Sequence, residues 1–300
     1  MYNKNKNEGR NARWILSAMS APIVQIGAGC TWTVVLLTGL LCTAACWILQ
    51  TMTSACNNDG KWVNLLNLIW AALLISQLCE YPITVWPKNE RTPAVPLALL
   101  ALAAWAVAKG EECSPRAGNG IFWCLFVLYG VVCVSAVKLV RLENLAWKEQ
   151  AFDPLLGVAF LIPAAITGKE KGSTKGILGS VAFGVLVSVL TIGSLSLKVV
   201  KKINVPFYQL SRSISFLGFA ERFESIVAAA MMLGYFTCFT VILSSVKRRK
   251  EVWLCAVMAS ATYLYGIQIE KWYLLIGSIF IWFTVPMIKC IFLKINEKRG

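Results

Sequence analysis

The chain has 300 residues, 57% of them hydrophobic and only 15% charged, with a mean hydropathy of +0.64. A soluble domain carries roughly 45–50% apolar and about 25% charged residues, so the composition excludes an ordinary water-soluble core and implies one bounded by lipid. The net charge of +14 sits in short clusters between apolar runs (Lys169–Lys175, Lys198–Lys202, Lys247–Lys250, Lys294–Arg299), the loop pattern of a polytopic membrane protein rather than the single basic face of a nucleic-acid binder.

There is no histidine, which removes the commonest general base and the commonest metal ligand. No nucleophile–base pair is visible, and no enzyme, cofactor or metal is expected. The 11 cysteines contain no C-x-x-C pair. Cys42, Cys46, Cys79, Cys124, Cys133, Cys238 and Cys255 lie inside apolar runs and read as small, inert apolar residues, whereas Cys56 and Cys113 fall in loops.

Along the chain, the polar residues 1–13 form an N-terminal tail. They lead into an apolar run without a small-residue cleavage site, so this start is not read as a signal peptide. Residues 14–293 form one transmembrane domain and 294–300 a basic tail. A membrane helix needs about 20 mostly apolar residues. Eight segments approach or exceed that: Thr31–Gln50, Trp62–Trp86, Thr92–Ala108, Gly120–Val140, Lys175–Leu197, Gly218–Val246, Val252–Ile269 and Trp272–Phe292. Two more are short and interrupted. Trp14–Cys30 carries Pro22, Gly27 and Gly29; Phe152–Gly168 carries Pro154, Gly157 and Pro163. Trp62, Trp86, Trp123, Trp147, Trp253 and Trp272 mark segment ends at headgroup level, where an indole is apolar but its N–H stays wet. The expected fold is thus an all-α membrane protein of nine or ten transmembrane helices.

The dense Lys247–Lys250 cluster and the basic C-terminal tail lie two segments apart and should share the cytoplasmic face. The Gln268–Lys271 turn is then external. If both short segments cross, both termini are cytoplasmic; the charge rule slightly prefers the arrangement in which neither crosses. Glu80, Glu221, Arg222 and Glu224 are charges within or opening apolar runs, either interfacial or functional.

The run Val205-Pro-Phe-Tyr-Gln-Leu-Ser-Arg-Ser-Ile-Ser-Phe-Leu-Gly-Phe-Ala-Glu-Arg-Phe-Glu-Ser-Ile resembles a motif of the B subunits of spore germinant receptors, the endospore germination permeases. The matching positions are Pro206, Phe207, Ile214, Ser215, Glu221, Arg222, Phe223 and Glu224. Arg91-Thr92-Pro93, Lys109-Gly110-Glu111-Glu112 with Arg116, Glu143-Asn144-Leu145, Leu161-Ile162-Pro163 before the basic loop, and Pro286 agree in order and spacing, so the resemblance covers most of residues 22–297. It implies a fold similar to the amino acid–polyamine–organocation transporters, with inverted five-helix (LeuT-like) repeats. Here the first and sixth helices look shortened.

The resemblance further implies a subunit of the bacterial inner (spore) membrane that binds a small nutrient, most simply an amino acid. It would signal germination through a large A-type membrane subunit and a C-type lipoprotein. A working amino acid permease and a non-binding structural subunit are the alternatives. In such folds, unwound backbone in the first helix of each repeat holds the ligand. That places candidate ligand contacts at Gly27 and Gly29, and at Gly157, Ala159 and Pro163, where Pro163 should free the carbonyl of Ala159 one turn earlier. Glu221, Arg222 and Glu224 are expected to anchor a helix end or dock a partner.

Overall fold

The computed structural model describes residues 2–53, 61–84, 92–110, 113–145, 151–166, 173–203, 205–214, 223–246 and 248–297. Cys56, Trp86, Arg91, Glu111, Glu112, Trp147, Lys169–Lys171, Lys247, Glu221 and Arg222 lie outside the described residues, as does the side chain of Glu224.

The regular structure of the described residues is helical. In chain order it runs α1 (Tyr2–Ile26), a 3-10 turn at Gly27–Gly29, α2 (Trp32–Thr53), α3 (Lys61–Leu78), the short α4 (Glu80–Thr84), α5 (Ala94–Lys109), α6 (Cys113–Val137) and a 3-10 turn at Leu142–Leu145. Next come α7 (Pro154–Leu161), continued as 3-10 helix over Ile162–Ile166, then α8 (Ser173–Leu195), α9 (Leu197–Val200), α10 (Pro206–Ser213), α11 (Phe223–Ser244) and α12 (Arg249–Leu264). The last pass is α13 (Lys271–Ile279), a π-helical stretch at Phe280–Thr284, and α14 (Val285–Glu297). The π-helix precedes Pro286, whose missing N–H breaks the regular ladder there. Among the described residues, six helices are long and apolar enough to cross a membrane unaided, and exposed apolar side chains such as Leu41, Phe126, Val134 and Phe280 give the bundle a lipid-facing perimeter. The chain is an all-α polytopic integral membrane protein.

Contacts fix the directions. Gly176, Gly179 and Gly184 of α8 meet Ala12, Leu16 and Ile23 of α1 in the same order, so the two helices run parallel. Trp14 Nε1 donates to Thr240 Oγ1, Gly234 abuts Ala21, and Tyr235 Oη donates to Gln25 Oε1, so α11 runs antiparallel to α1. Gly39 of α2 lies against Val181, below the level of Val35 and Gly184, so α2 turns back along α1. The sixth segment starts at Asp153 near Lys271, passes Gly39 at Phe160, and leads to the α8 end beside Ala12. Its eight α-helical and five 3-10 residues span about 22 Å, extended by the stretch Ala151–Asp153.

Both short segments therefore traverse the bundle, giving ten passes among the described residues with both chain ends on the same face. The charge rule had leaned slightly the other way; side-chain packing, which it does not see, decides. The first helix is also not short. It is 25 residues long because the polar stretch read as a tail continues it as helix from Tyr2, and an apolar-run criterion cannot register a polar helical extension.

Exchanging the first five passes for the last five carries several of the main helix contacts onto one another, although the close packing of α1 on α11 has no equal between α7 and α3. The contact of α1 with α6 corresponds to that of α7 with α13, α1 on α8 to α7 on α2, and α3 on α12 to α11 on α5. The pairs α2–α8 and α5–α12 map onto themselves. With α1 and α7 running in opposite directions, this is the pattern of an inverted repeat.

At the centre stands α1, with Trp14, Ile15, Ala18, Met19, Ala21, Ile23 and Val24 buried. A Cβ added at Gly118 of α6 would fall within 3 Å of the Trp14 ring, one at Gly176 of α8 would lie 2.7 Å from the Ala12 carbonyl oxygen, and one at Gly234 of α11 would lie 2.6 Å from the Ala21 Cβ. Small residues are what allow helices to approach this closely in lipid. Gly176→Leu should therefore lower stability by about 1–3 kcal/mol through overpacking, read as a fall in melting temperature in detergent. Gly130→Leu, which meets nothing within 4 Å, should melt with the parent chain.

Candidate ligand cavity

The break between α1 and α2 is assembled from two weak helix formers, one bond within the turn and two cross-contacts. Gly27 and Gly29 each disfavour helix by about 1 kcal/mol relative to alanine, and the chain tightens into a 3-10 turn in which Cys30 N–H donates to the Gly27 carbonyl at 3.1 Å. Cys30 is then extended. Its carbonyl accepts from Ser188 Oγ of α8, and the next amide, Thr31 N–H, donates to the Ala151 carbonyl at 3.2 Å. The interruption of the first pass is thus bonded directly to the chain that opens the sixth.

That opening is built around Asp153. Pro154 pre-sets the first helical position of α7, and Asp153 caps the helix by accepting from Leu155 N–H at 3.0 Å through Oδ1. Its second oxygen, Oδ2, pairs with Lys271 Nζ at 2.6 Å. One carboxylate therefore fixes the start of α7 against the start of α13, two elements equivalent to α1 and α6 under the repeat.

Between these elements lies a cavity of about 640 Å³ at the Gln268 end of the bundle. Gln25, Ile26, Gly29 and Cys30 line it from the α1 break, Glu80 and Tyr81 from α4, and Ala151, Phe152 and Asp153 from the approach to α7; Lys201, Pro206 and Lys271 close the remaining sides. Two cations and two carboxylates thus share one opening. Glu80 Oε1 accepts from Gln268 Nε2 at 3.2 Å. The side of the cavity toward the core is ordered by Gln25, whose Oε1 accepts from Tyr235 Oη at 2.6 Å and whose Nε2 reaches the Tyr81 carbonyl at 3.5 Å. The rings of Tyr81 and Tyr235 stack 6.5 Å apart beside it.

Of the residues singled out in the sequence, Gly29 lines this cavity, and a Cβ there would meet nothing within 4 Å. Gly27 lies one turn away, buried, where a Cβ would meet Ile23 and Leu156 at ordinary contact distance. Gly157, Ala159 and Pro163 are all buried, in a pass whose α-helical part packs on α13, α2 and α1 and whose 3-10 continuation packs mainly on α11. A Cβ at Gly157 would press on Leu275 at 2.7 Å, and the Gly157 carbonyl accepts from Cys42 Sγ. The carbonyl of Ala159 is not left open by Pro163, because the 3-10 continuation brings Ile162 N–H onto it. The sixth pass contributes its entry, Ala151–Asp153, to the cavity wall. Asp153 had a readable signal, an acid immediately before a proline that starts an apolar run. Lys271 had none, since a lone lysine in an external turn is ordinary.

The family model of spore germination proteins, the spore permeases, matches residues 158–292. No curated protein matches the chain.

The two roles of Asp153 can be separated. Asp153→Asn retains a capping oxygen and removes only a half-exposed ion pair, so it should cost about 1 kcal/mol or less. Asp153→Ala removes both and should cost about 1–2 kcal/mol. Thermal melts of the two variants in the same detergent measure the difference.

Proposed function

We propose that this chain, which belongs to the spore germination permease family through residues 158–292, is a nutrient-binding membrane subunit of a spore germinant receptor. Its ligand is a small zwitterion of the amino acid class, held in the cavity beside the α1 break. The observation that carries this reading is the balanced charge of the opening: Lys201 and Lys271 with Glu80 and Asp153 in one cavity of about 640 Å³. Cations for a carboxylate and carboxylates for an ammonium suit a molecule bearing both, and a cleft of that size admits a single small solute with its hydration. Gly29, with open space around it, presents backbone at close range. Gly27, Gly157, Ala159 and Pro163 stand behind the binding face and hold the two broken passes in register.

The match to spore germination proteins supports a role in which the chain signals through a large membrane subunit and a lipoprotein in the inner spore membrane. The motif residues Glu221, Arg222 and Glu224 are the ones we assign to that docking. Glu221→Gln and Arg222→Gln should reduce co-purification of the partner subunits while leaving nutrient affinity unchanged.

The ligand reading is tested by melting the purified full-length chain with each of the twenty amino acids in turn. At least one should raise the midpoint in a saturable way, as ligand linkage requires. Glu80→Gln and Gly29→Val should weaken that response roughly tenfold or more, the scale of one lost charge-assisted contact, with Gly130→Val as the unaffected control. An absence of any saturable shift would remove the nutrient-binding reading in favour of a structural subunit. Uptake of the stabilising amino acid into vesicles containing this chain alone would replace it with the permease reading.

A further inference from the structure

The charge rule for membrane proteins puts excess Lys and Arg on the cytoplasmic face. One group breaks that rule. At the Gln268 end, where α6 finishes at Val137 and α8 at Leu195, two short basic stretches meet: Lys138-Leu-Val-Arg141-Leu-Glu and Leu197-Lys-Val-Val-Lys-Lys202. Their proximity is fixed by the backbone. Arg141 N–H and the Asn144 side-chain amide both donate to the Gly193 carbonyl, at 2.9 and 2.8 Å. Val140 packs so closely on Gly193 that a Cβ there would lie 2.7 Å from its side chain. Two residues after Leu195 the chain enters α9 through Ser196, whose φ of 65° makes the sharp turn.

Lys138, Arg141, Lys198, Lys201 and Lys202 are all exposed, with Glu143 the one acid in the two stretches. Lys138, Arg141, Lys198 and Lys202 form no ion pair among the described residues. Interleaved with the cations are exposed apolar side chains: Leu142 at 81%, Val137 at 60%, Val199 at 44% and Leu139 at 40%.

We propose that this patch is a binding surface for anionic phospholipid headgroups of the outer leaflet. Cations alternating with apolar side chains at the ends of two membrane passes are the chemistry of an interfacial anchor. The apolar groups enter the acyl boundary, and the ammonium and guanidinium groups meet phosphates at headgroup height. A water-facing protein partner gives no reason for an apolar side chain as exposed as Leu142 to stand beside Arg141 at the end of a membrane pass. The attraction of basic residues to an anionic surface falls off within a Debye length, so binding here is selective for acidic lipid and sensitive to salt. The proposal does not depend on the nutrient-binding reading; Lys201 also lines the cavity and is left unaltered in the test.

The experiment titrates the purified full-length chain in neutral detergent with phosphatidylglycerol, or with phosphatidylcholine as the uncharged comparator, and follows the melting midpoint at low and at high salt. The parent chain should gain more stability from phosphatidylglycerol at low salt. A variant with Lys138, Arg141, Lys198 and Lys202 all changed to Gln should need about tenfold more phosphatidylglycerol for the same gain. A variant with Arg248, Arg249 and Lys250 changed to Gln, on the opposite face, should retain at least part of the preference. The paired variants Lys138→Gln/Arg141→Gln and Lys198→Gln/Lys202→Gln should each give an intermediate response. An undiminished phosphatidylglycerol response in the four-site variant would overturn the proposal, as would equal responses of the parent chain to the two lipids. Loss of co-purification with the lipoprotein subunit while the lipid response stays intact would reassign the patch to a protein partner and overturn it equally.

Discussion

The close seating of α1 among α6, α8 and α11 is the constraint from which the rest of this structure follows. Three glycines, Gly118, Gly176 and Gly234, each stand where a methyl group would collide with α1. In lipid there is little hydrophobic gain from joining two apolar helices, so association depends on packing and on hydrogen bonds made inside the bundle. Glycine allows backbones to approach, and the approach brings Trp14 within bonding distance of Thr240 and Gln25 within bonding distance of Tyr235. With its length fixed at three points, α1 ends at a determined height. That height sets where the Gly27–Gly29 turn meets the entry to α7.

The cavity is the consequence of two interrupted passes meeting end to end. Unwound backbone inside a membrane protein is tolerated only where its polar groups find partners or line a polar space. Here some find partners: Thr31 N–H on the Ala151 carbonyl, Ser188 on the Cys30 carbonyl, Leu155 N–H on Asp153. The remainder of the break borders the space between Gln25, Glu80, Asp153, Lys201 and Lys271. Asp153 links this polar floor to α13 through Lys271, so a ligand that competes for either member would loosen the contact between α7 and the last pass.

Much of the architecture was legible in the sequence because lipid imposes a simple rule on long apolar runs. Thr31–Gln50, Gly120–Val140 and Lys175–Leu197 match α2, α6 and α8 within a few residues at most ends; α6 begins earlier, at Cys113, because its polar first turns are helical. The same rule was blind at α1, where residues 2–13 are polar yet helical, and at the sixth pass, where a short α-helix and a 3-10 stretch share the crossing. Part of the cavity lining was legible. Gly29, a glycine in an interrupted apolar run, lines the cavity at a break of the kind such a residue signals. Gly157 and Pro163 carry the same signal but lie buried away from that lining, beside Leu275 and Ile162, through long-range and local contacts that residue type cannot disclose. Glu80 was visible as a charge in an apolar run. Lys201 and Lys271 looked like ordinary loop cations until the turns around Ser196 and Gln268 brought them to one opening.

The account rests on the α1 break facing an aqueous cavity that opens away from the Arg248–Lys250 face. Gly29→Cys and Gly157→Cys, each compared with the parent chain as background, test this in sealed cells with a membrane-impermeant cationic methanethiosulfonate. The account predicts rapid external labelling at position 29, where there is open space, and none at position 157, which lies packed against Leu275. External labelling at 157 with none at 29 would contradict it, and so would labelling at 29 that appears only after the membrane is permeabilised.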